Sequence, residues 1–251
     1  MQRIIITGGN EGIGFFMTSQ FLEDAHMVAV FDLKLDNLLA LQKKYIEQLQ
    51  LFECDVRNPQ TVIQSVNNII SVFGGIDYAI HNACKCLFTN FEKTTDNEYK
   101  DVFDVNYYGA INLARAVLPT MKKQSSGRIF FTSSGVGVMG FVNISAYASS
   151  KGALESLGKC LNIEYLGTGI TFHLIHPPLT KTTSAKPLPV PEEFKADPKK
   201  VGIGIAKNIH KKRFIICHSF AQRIQTHIAY MFSIKLGRFM SKMTKQYNNN
   251  V

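Results

Sequence analysis

Four glycines stand within eight residues near the start of the chain, in the segment TGGNEGIG (7–14). The apolar run IIIT leads directly into them. A glycine-rich turn between a strand and a helix lets the backbone approach a pyrophosphate closely, and the helix N-terminus offers that anion free N–H groups. An ordinary tight turn needs only one or two glycines. The segment therefore predicts a phosphate-binding loop, although its G-x-x-x-G-x-G spacing differs from the usual dinucleotide fingerprint.

Two carboxylates follow later apolar segments. Asp32 closes MVAVFD (27–32), and Asp55 closes LQLFECD (49–55). A carboxylate at the first position can accept hydrogen bonds from the ribose hydroxyls of an adenosine and would repel a 2′-phosphate. The second would lie near the adenine. Each could instead be a helix N-cap, but as a set on successive strand ends they favour a dinucleotide.

Short apolar runs alternate with helix-length segments along residues 1–217. Continuous apolar runs are typical of strands buried on both faces of a parallel sheet, and their alternation with helices predicts right-handed crossovers. The predicted strands are 3–7, 27–32, 49–55, 77–83, 127–134 and 170–176, with a weaker seventh at 213–219. The predicted helices are 12–25, 34–48, 58–74, 96–123 and 145–167. We therefore expect a single α/β domain over 1–217, a Rossmann-type doubly wound parallel sheet of about seven strands flanked by helices.

The net charge of +9 is concentrated at the end of the chain. Residues 211–251 hold eight of the 28 Lys and Arg residues and no Asp or Glu, which leaves 20 basic and 19 acidic residues in 1–210. A nearly neutral body argues against a nucleic-acid partner. Five scattered cysteines, with no evident signal peptide, predict reduced thiols and a cytoplasmic protein.

The C-terminal extension, 218–251, has the pattern of a basic amphipathic helix. Apolar residues at helical spacing form one side, namely Phe220, Ile224, Ile228 and Met231, continued by Leu236, Phe239, Met240 and Met243. Such a helix can lie on an anionic membrane surface, or its apolar side can pack on the body or on a partner subunit. Gly237 is expected to bend or end a helix.

The motifs in their order resemble the short-chain dehydrogenase/reductase family to about residue 217. TGGNEGIG is similar to the family's T-G-x-x-x-G-x-G cofactor loop, and Ser134 lies thirteen residues before Tyr147, as the catalytic Ser of the family does. The other matching segments are CDV (54–56), HNAC (81–84), VNYYG (105–109), YASSK (147–151) and HPPLTKT (176–182).

The resemblance implies hydride transfer between a nicotinamide and an alcohol or carbonyl carbon. Tyr147 would be the general acid or base, and Lys151, at i+4 on the same helix face, would move the pKa of Tyr147 from ~10 toward neutrality. By resemblance, Lys151 also binds the nicotinamide ribose, Ser134 holds the substrate oxygen, and Asn106 positions a water for a proton relay.

The predicted cofactor is NAD rather than NADP. Family members that use NADP tend to carry a basic residue where this chain has Glu11 or Leu33, whereas Lys34 is an opposing signal. The predicted cofactor-binding residues are Thr7, Gly8, Asn10, Glu11, Gly12, Ile13, Gly14, Asp32, Leu33, Asp55, Val56, Asn82, Ala83, Cys84, Tyr147, Lys151, Pro177, Leu179 and Thr180.

Three residues depart from the family pattern. Cys84 and Pro178 stand where the family has glycines, and His81 stands where it has the first Asn of N-N-A-G. These changes affect loop shape more than proton transfer. A metal site at His81, Cys84 and Cys86 is the alternative, but no second ligand pair accompanies them, so no metal is expected.

The favoured function is an NAD-dependent alcohol dehydrogenase or carbonyl reductase that acts on CH–OH groups. It is expected to be a homo-oligomer, a dimer or a tetramer. The segment 135–145 and a lid after Pro178 would wall the substrate pocket, with Val136, Met139 and Phe141 making it apolar or mixed. One alternative is an NADPH-dependent reductase of a lipid-like ketone near a membrane. Another is a nucleotide-sensing protein without turnover.

Overall fold

A seven-stranded parallel sheet forms the centre of the computed structural model, which describes residues 1–186, 188 and 190–249. The strands are β1 Arg3–Thr7, β2 Met27–Asp32, β3 Leu49–Glu53, β4 Tyr78–His81, β5 Gly127–Thr132, β6 Ile170–Ile175 and β7 Ile215–Ile216. Their order is β3-β2-β1-β4-β5-β6-β7, so the predicted doubly wound fold is confirmed. The order reverses between β1 and β4, and ligands of such sheets bind at this switch point.

Helices cover both faces of the sheet. The α-helices of the described residues are α1 Gly12–Glu23, α2 Leu39–Lys44, α3 Pro59–Phe73, α4 Asp96–Phe103, α5 Gly109–Gln124, α6 Gly135–Met139, α7 Ser145–Glu164, α8 Pro198–Asn208, α9 Phe220–Met231 and α10 Ser233–Asn249. In β1, Ile5 packs into one buried cluster while Ile4 and Ile6 pack into another on the opposite face. Two buried faces explain why the strand is apolar at consecutive positions rather than at alternate ones.

Several predicted boundaries are wrong. The predicted helix 34–48 is helical only over α2. The Asn10 side chain accepts from Asn37 N–H at 3.0 Å and donates to Asp36 Oδ1 at 3.2 Å. These bonds stabilise a 3₁₀ turn before α2 instead. The predicted helix 96–123 contains a π-helical turn, Asp104–Tyr108. Asp55 lies two residues beyond the end of β3.

The C-terminal extension forms two helices that pack on α6. The predicted apolar side of α9 does not pack on the body; its residues are exposed, and Thr226 and Ala229 are buried instead. The helix is interrupted at Phe232, between α9 and α10, rather than at the predicted Gly237. Gly237 lies inside α10, where an added Cβ would come within 2.5 Å of the Met139 carbonyl oxygen.

Tyr230 fixes α9 to the body through a buried acidic group. Its hydroxyl donates to Glu155 Oε2, while His176 Nε2 lies 2.7 Å from Glu155 Oε1. Burial opposes the ionisation of Glu155, but the bonds from His176 and Tyr230 outweigh it and lower the pKa of Glu155. In the described part of the chain, no helix has the length and apolarity to cross a membrane.

Candidate active site

The glycine loop joins β1 to α1 at the switch point. Thr7 Oγ1 accepts hydrogen bonds from the backbone N–H groups of Asn82 and Ala83, both at 3.1 Å. Asn82 Nδ2 donates in return to the Gly8 carbonyl at 2.8 Å. Gly8 has a φ of +67°, and an added Cβ would lie 2.6 Å from the Ala83 Cα atom. The loops that follow β1 and β4 therefore hold each other in a shape that requires glycine at this position.

The first turn of α1 is open to an anion. Its N-cap residue Glu11 is extended and makes no side-chain cap hydrogen bond, and the first turn, which includes Gly12, Ile13 and Gly14, contains no acidic residue. The N–H groups of such a turn and the positive end of the helix dipole attract a pyrophosphate. This end of α1 therefore fits the phosphates of a dinucleotide.

Asp32, at the end of β2, helps to hold the glycine loop in place. Its Oδ2 accepts from Asn10 N–H at 2.9 Å, and its Oδ1 accepts from Lys34 N–H at 3.3 Å. The side chain of Asp32 is half-buried, and Leu33 beside it is 60% exposed. Asp32 is therefore an anchor of the glycine loop, and its contact with a ribose stays a prediction.

Asp55 forms a salt bridge with Arg57. The Arg57 guanidinium binds it through Nε at 2.9 Å and Nη2 at 2.6 Å to Oδ2. These hydrogen bonds lower the pKa of the Asp55 carboxyl. Val56 is buried, and its carbonyl accepts from Asn112 Nδ2 at 2.9 Å. The contact of Asp55 with adenine stays a prediction.

Asn106 lies fully buried in the π-helical turn between α4 and α5. Its Oδ1 accepts from Lys85 N–H at 2.8 Å, and its Nδ2 donates to the Lys85 carbonyl at 3.0 Å and to Ser150 Oγ at 2.9 Å. Both amide hydrogens are used. Oδ1 can accept two hydrogen bonds and accepts one here, so one acceptor position of the side chain remains. Asn106 therefore ties the segment after β4 to α7, and its predicted relay role has to use that one position.

Tyr147 and Lys151 lie one turn apart near the start of α7, as their spacing predicts. Lys151 is buried; its Nζ donates to the Thr132 carbonyl at 2.8 Å and lies 5.6 Å from the centre of the Tyr147 ring. Ser134, the N-cap residue of α6, lies close enough to Tyr147 for its hydroxyl to oppose the rise in the Tyr147 pKa. The structure thus brings the predicted acid and two of its predicted helpers together.

Two thiols lie close enough to the Tyr147 hydroxyl to affect its pKa. Cys84 and Cys86 are half-buried, with their Sγ atoms 3.6 Å apart. The hydrogen bond from Cys86 and the charge of Lys151 lower the pKa of Cys84 to about 6, and the same hydrogen bond raises the pKa of Cys86.

The structure reverses the expected direction for Tyr147. Desolvation of its hydroxyl and the charges of Cys84 and Cys86 raise the pKa of Tyr147, whereas the sequence predicts a lowered value. The spacing along α7 indicates Lys151 beside Tyr147, but the burial of the hydroxyl and the two thiols near it arise only in the folded chain.

Two of the histidines are structural. Burial and the charge of Lys151 lower the pKa of His81 to about 3, and its Nδ1 lies 3.1 Å from Thr7 Oγ1. Burial and the charge of Arg128 lower the pKa of His173 to about 4. Among the described residues, no group of three or more His, Cys, Asp or Glu side chains is placed to hold a metal ion.

The segment after β6, which includes the predicted lid, lies close to the start of α1. Thr180 is buried and its hydroxyl donates to the Pro178 carbonyl at 2.7 Å, while Pro177 and Leu179 are half-buried. Further along, the Thr182 methyl would lie 3.0 Å from a Cβ added to Gly12. The lid therefore approaches the first turn of α1.

Sequence reasoning missed two contributors. Ser150, buried on α7, links Asn106 to the Tyr147 carbonyl, to which it donates at 2.8 Å. Nothing in the YASSK motif distinguishes this serine from Ser149. Cys86 was considered only as a metal ligand, although its two-residue spacing from Cys84 was the available signal for a thiol pair.

A family model described as short chain dehydrogenase matches residues 2–192. The chain is 32% identical over 176 residues to a 3-ketodihydrosphingosine reductase of Bacteroides thetaiotaomicron, covering 70% of this chain and 63% of that protein. It is 27% identical over 187 residues to the protein of the same name from Mus musculus, covering 71% and 56%. The chain thus spans less than two thirds of the length of these relatives.

The fold is shared with solved structures. A short-chain dehydrogenase from Streptomyces avermitilis superposes with a TM-score of 0.81 over 99% of both chains, at 20% sequence identity. With a glycine loop, a Tyr147–Lys151 pair and a doubly wound sheet in place, the family match has a structural basis. The chain belongs to the short-chain dehydrogenase family of oxidoreductases.

Proposed function

We propose that this protein transfers a hydride between NAD(H) and an alcohol or carbonyl carbon. The observation that carries the proposal is the gathering of Tyr147, Lys151 and Ser134 at the carboxyl edge of the sheet, beside a loop that fits a dinucleotide. A bound nicotinamide dinucleotide supplies or accepts the hydride. The chain's own side chains hold the substrate oxygen and move its proton.

Carbonyl reduction is the proposed direction. It needs a proton at the oxygen when hydride reaches the carbon, and a tyrosine phenol, with an ordinary pKa of ~10, carries that proton at neutral pH. Ser134 donates a second hydrogen bond to the same oxygen. After proton transfer, the ammonium of Lys151 stabilises the phenolate. Asn106 holds the segment after β4 in place, and its free acceptor position receives a water that returns the proton.

The proposed cofactor is NAD(H), since the carboxylate of Asp32 at the end of β2 would repel a 2′-phosphate and accept ribose hydroxyls. The test is a titration of the full chain with NADH and with NADPH, followed by nicotinamide fluorescence. Asp32→Ala should weaken NADH and spare or improve NADPH. Asp36→Ala is the matched control, because it removes a carboxylate that only supports Asn10. If both variants lose the same affinity for NADH and for NADPH, Asp32 only holds the loop and does not select the cofactor.

The proposed substrate is a ketone on an apolar chain. The relatives above carry names of reductases of a lipid ketone, and Val136, Met139 and Phe141 are half-buried in and after α6. The rate of NADH consumption with 2-butanone and with 2-decanone tests this. A lower KM for the longer ketone supports the proposal, and equal KM values contradict it. Cofactor binding with no turnover of either ketone would favour the nucleotide-sensing alternative.

We also propose that the chain forms a homo-oligomer through its outer helices. Tyr108 is 52% exposed beside α5, and Ile163 is 74% exposed on α7. Light scattering after size exclusion gives the mass directly, and Ile163→Glu should lower it. A monomeric mass for the unaltered chain would end this proposal.

A further inference from the structure

An apolar stripe runs along the outward side of α9. Phe220 is 67% exposed, Ile224 46%, Ile228 44% and Met231 72%. Their spacing of four, four and three residues places them on one helix face. The opposite face carries Thr226 and Ala229, which are buried against the body. A helix that buries its small and polar residues and exposes its large apolar ones has its apolar face available for a partner.

The next helix carries the matching charge. Lys235, Arg238 and Lys242 are exposed on α10, and at 100° per residue they share one outward sector. Phe239 and Met243 flank that sector and are 58% and 41% exposed. The two helices meet at Phe232 and Ile234, which are 49% and 65% exposed. These two side chains lie in sequence between the apolar stripe of α9 and the basic sector of α10. We call these outward residues of α9 and α10 the C-terminal surface.

The charge of this surface is of one sign. Residues 211–251 contain eight Lys or Arg and no Asp or Glu. A second copy of the chain docked symmetrically on the same surface would bring basic residues against basic residues, which disfavours that occupant. An apolar stripe bordered by lysines and arginines is instead complementary to a bilayer whose headgroups are anionic and whose interior is apolar.

We infer that the C-terminal surface docks this protein on an anionic membrane surface, with α9 and α10 lying in the plane of the interface. The inward sides of the two helices agree with this placement. Ser241 Oγ accepts from Val142 N–H at 3.3 Å, and Gly237 lets α10 approach the Met139 and Gly140 carbonyls closely. The docked helices thus lie directly over the loop that walls the predicted substrate pocket, so that pocket is held next to the membrane.

Co-sedimentation of the full chain with vesicles tests the inference. We expect binding to phosphatidylcholine vesicles that contain phosphatidylglycerol, weak binding to phosphatidylcholine alone, and loss of most binding when salt is raised from about 0.1 M to about 1 M. Lys235→Gln with Lys242→Gln should weaken partitioning about fivefold per charge. Ile224→Ser with Ile228→Ser should weaken it at least tenfold, since two apolar side chains no longer enter the interface.

Matched controls use exposed residues elsewhere. Ile63→Ser with Val72→Ser on α3, and Lys43→Gln with Lys123→Gln, change similar exposed groups and should leave partitioning unchanged. All variants should keep the NADH affinity and melting temperature of the unaltered chain, which separates docking from folding and from the proposed catalysis. No binding to the anionic vesicles, equal losses in the controls, or a change of oligomeric mass in the Ile224/Ile228 variant without vesicle binding would each overturn the inference.

Discussion

Replacement of Asn106 by alanine tests how the site is held together. The side chain is fully buried and makes three hydrogen bonds, two with the Lys85 backbone and one with Ser150. Each such bond contributes about 1 kcal/mol net, so Asn106→Ala should lower the free energy of unfolding by about 3 kcal/mol. For a chain of this size, the melting temperature should then fall by about 6 to 12 °C.

Thermal unfolding followed by circular dichroism measures this loss. Ser150→Ala is the matched comparison, because it removes one of the three Asn106 bonds together with the bond from Ser150 to the Tyr147 carbonyl, and it should cost about 2 kcal/mol. The double variant should cost less than the sum of the two single losses, since both remove the same Asn106–Ser150 bond. A melting temperature of Asn106→Ala equal to that of the unaltered chain would refute the assignment of Asn106 as a positioning residue.

Three further outcomes follow from the contacts of the site and of α9. Cys84 should react with iodoacetamide with a half-maximal rate near pH 6, where its pKa lies, and a midpoint above pH 8 would contradict the thiol pair. Tyr230→Phe should cost about 1 to 2 kcal/mol at neutral pH. Because the pKa of Glu155 is lowered in the folded chain, that cost should fade as pH falls below about 4; a pH-independent cost would contradict the bond. Gly14→Ala should abolish NADH binding, since the new Cβ would lie 2.0 Å from a loop carbonyl oxygen; retained affinity would show that the loop can rearrange.

The sheet was predictable from the sequence because both of its faces are buried. Continuous apolar runs such as that of β1 leave few alternatives to a parallel strand covered by helices. The strand ends were less predictable. Asp55 continues the segment of β3 in sequence but lies beyond the ladder, in a turn where its Oδ1 accepts from Arg57 N–H at 3.0 Å.

The residues of the site were predictable from the sequence, but their contacts with residues from other elements were not. Spacing along one helix places Tyr147 and Lys151 together, but it says nothing of residues from other elements. Burial of the Tyr147 hydroxyl is the main cause of its raised pKa, and the thiols of Cys84 and Cys86, which come from the loop after β4, add to it. The amphipathic pattern of α9 was also evident, yet which side faces the body depends on a buried tyrosine–glutamate contact with α7.

The central claim is that Tyr147 supplies the proton in a carbonyl reduction. The most direct measurement is the steady-state rate of NADH consumption with 2-decanone for the unaltered chain and for Tyr147→Phe, with the NADH affinity of both measured alongside. We expect kcat to fall by about 10²- to 10⁴-fold in the variant while the NADH affinity stays the same. A variant that turns over as fast as the unaltered chain would contradict it.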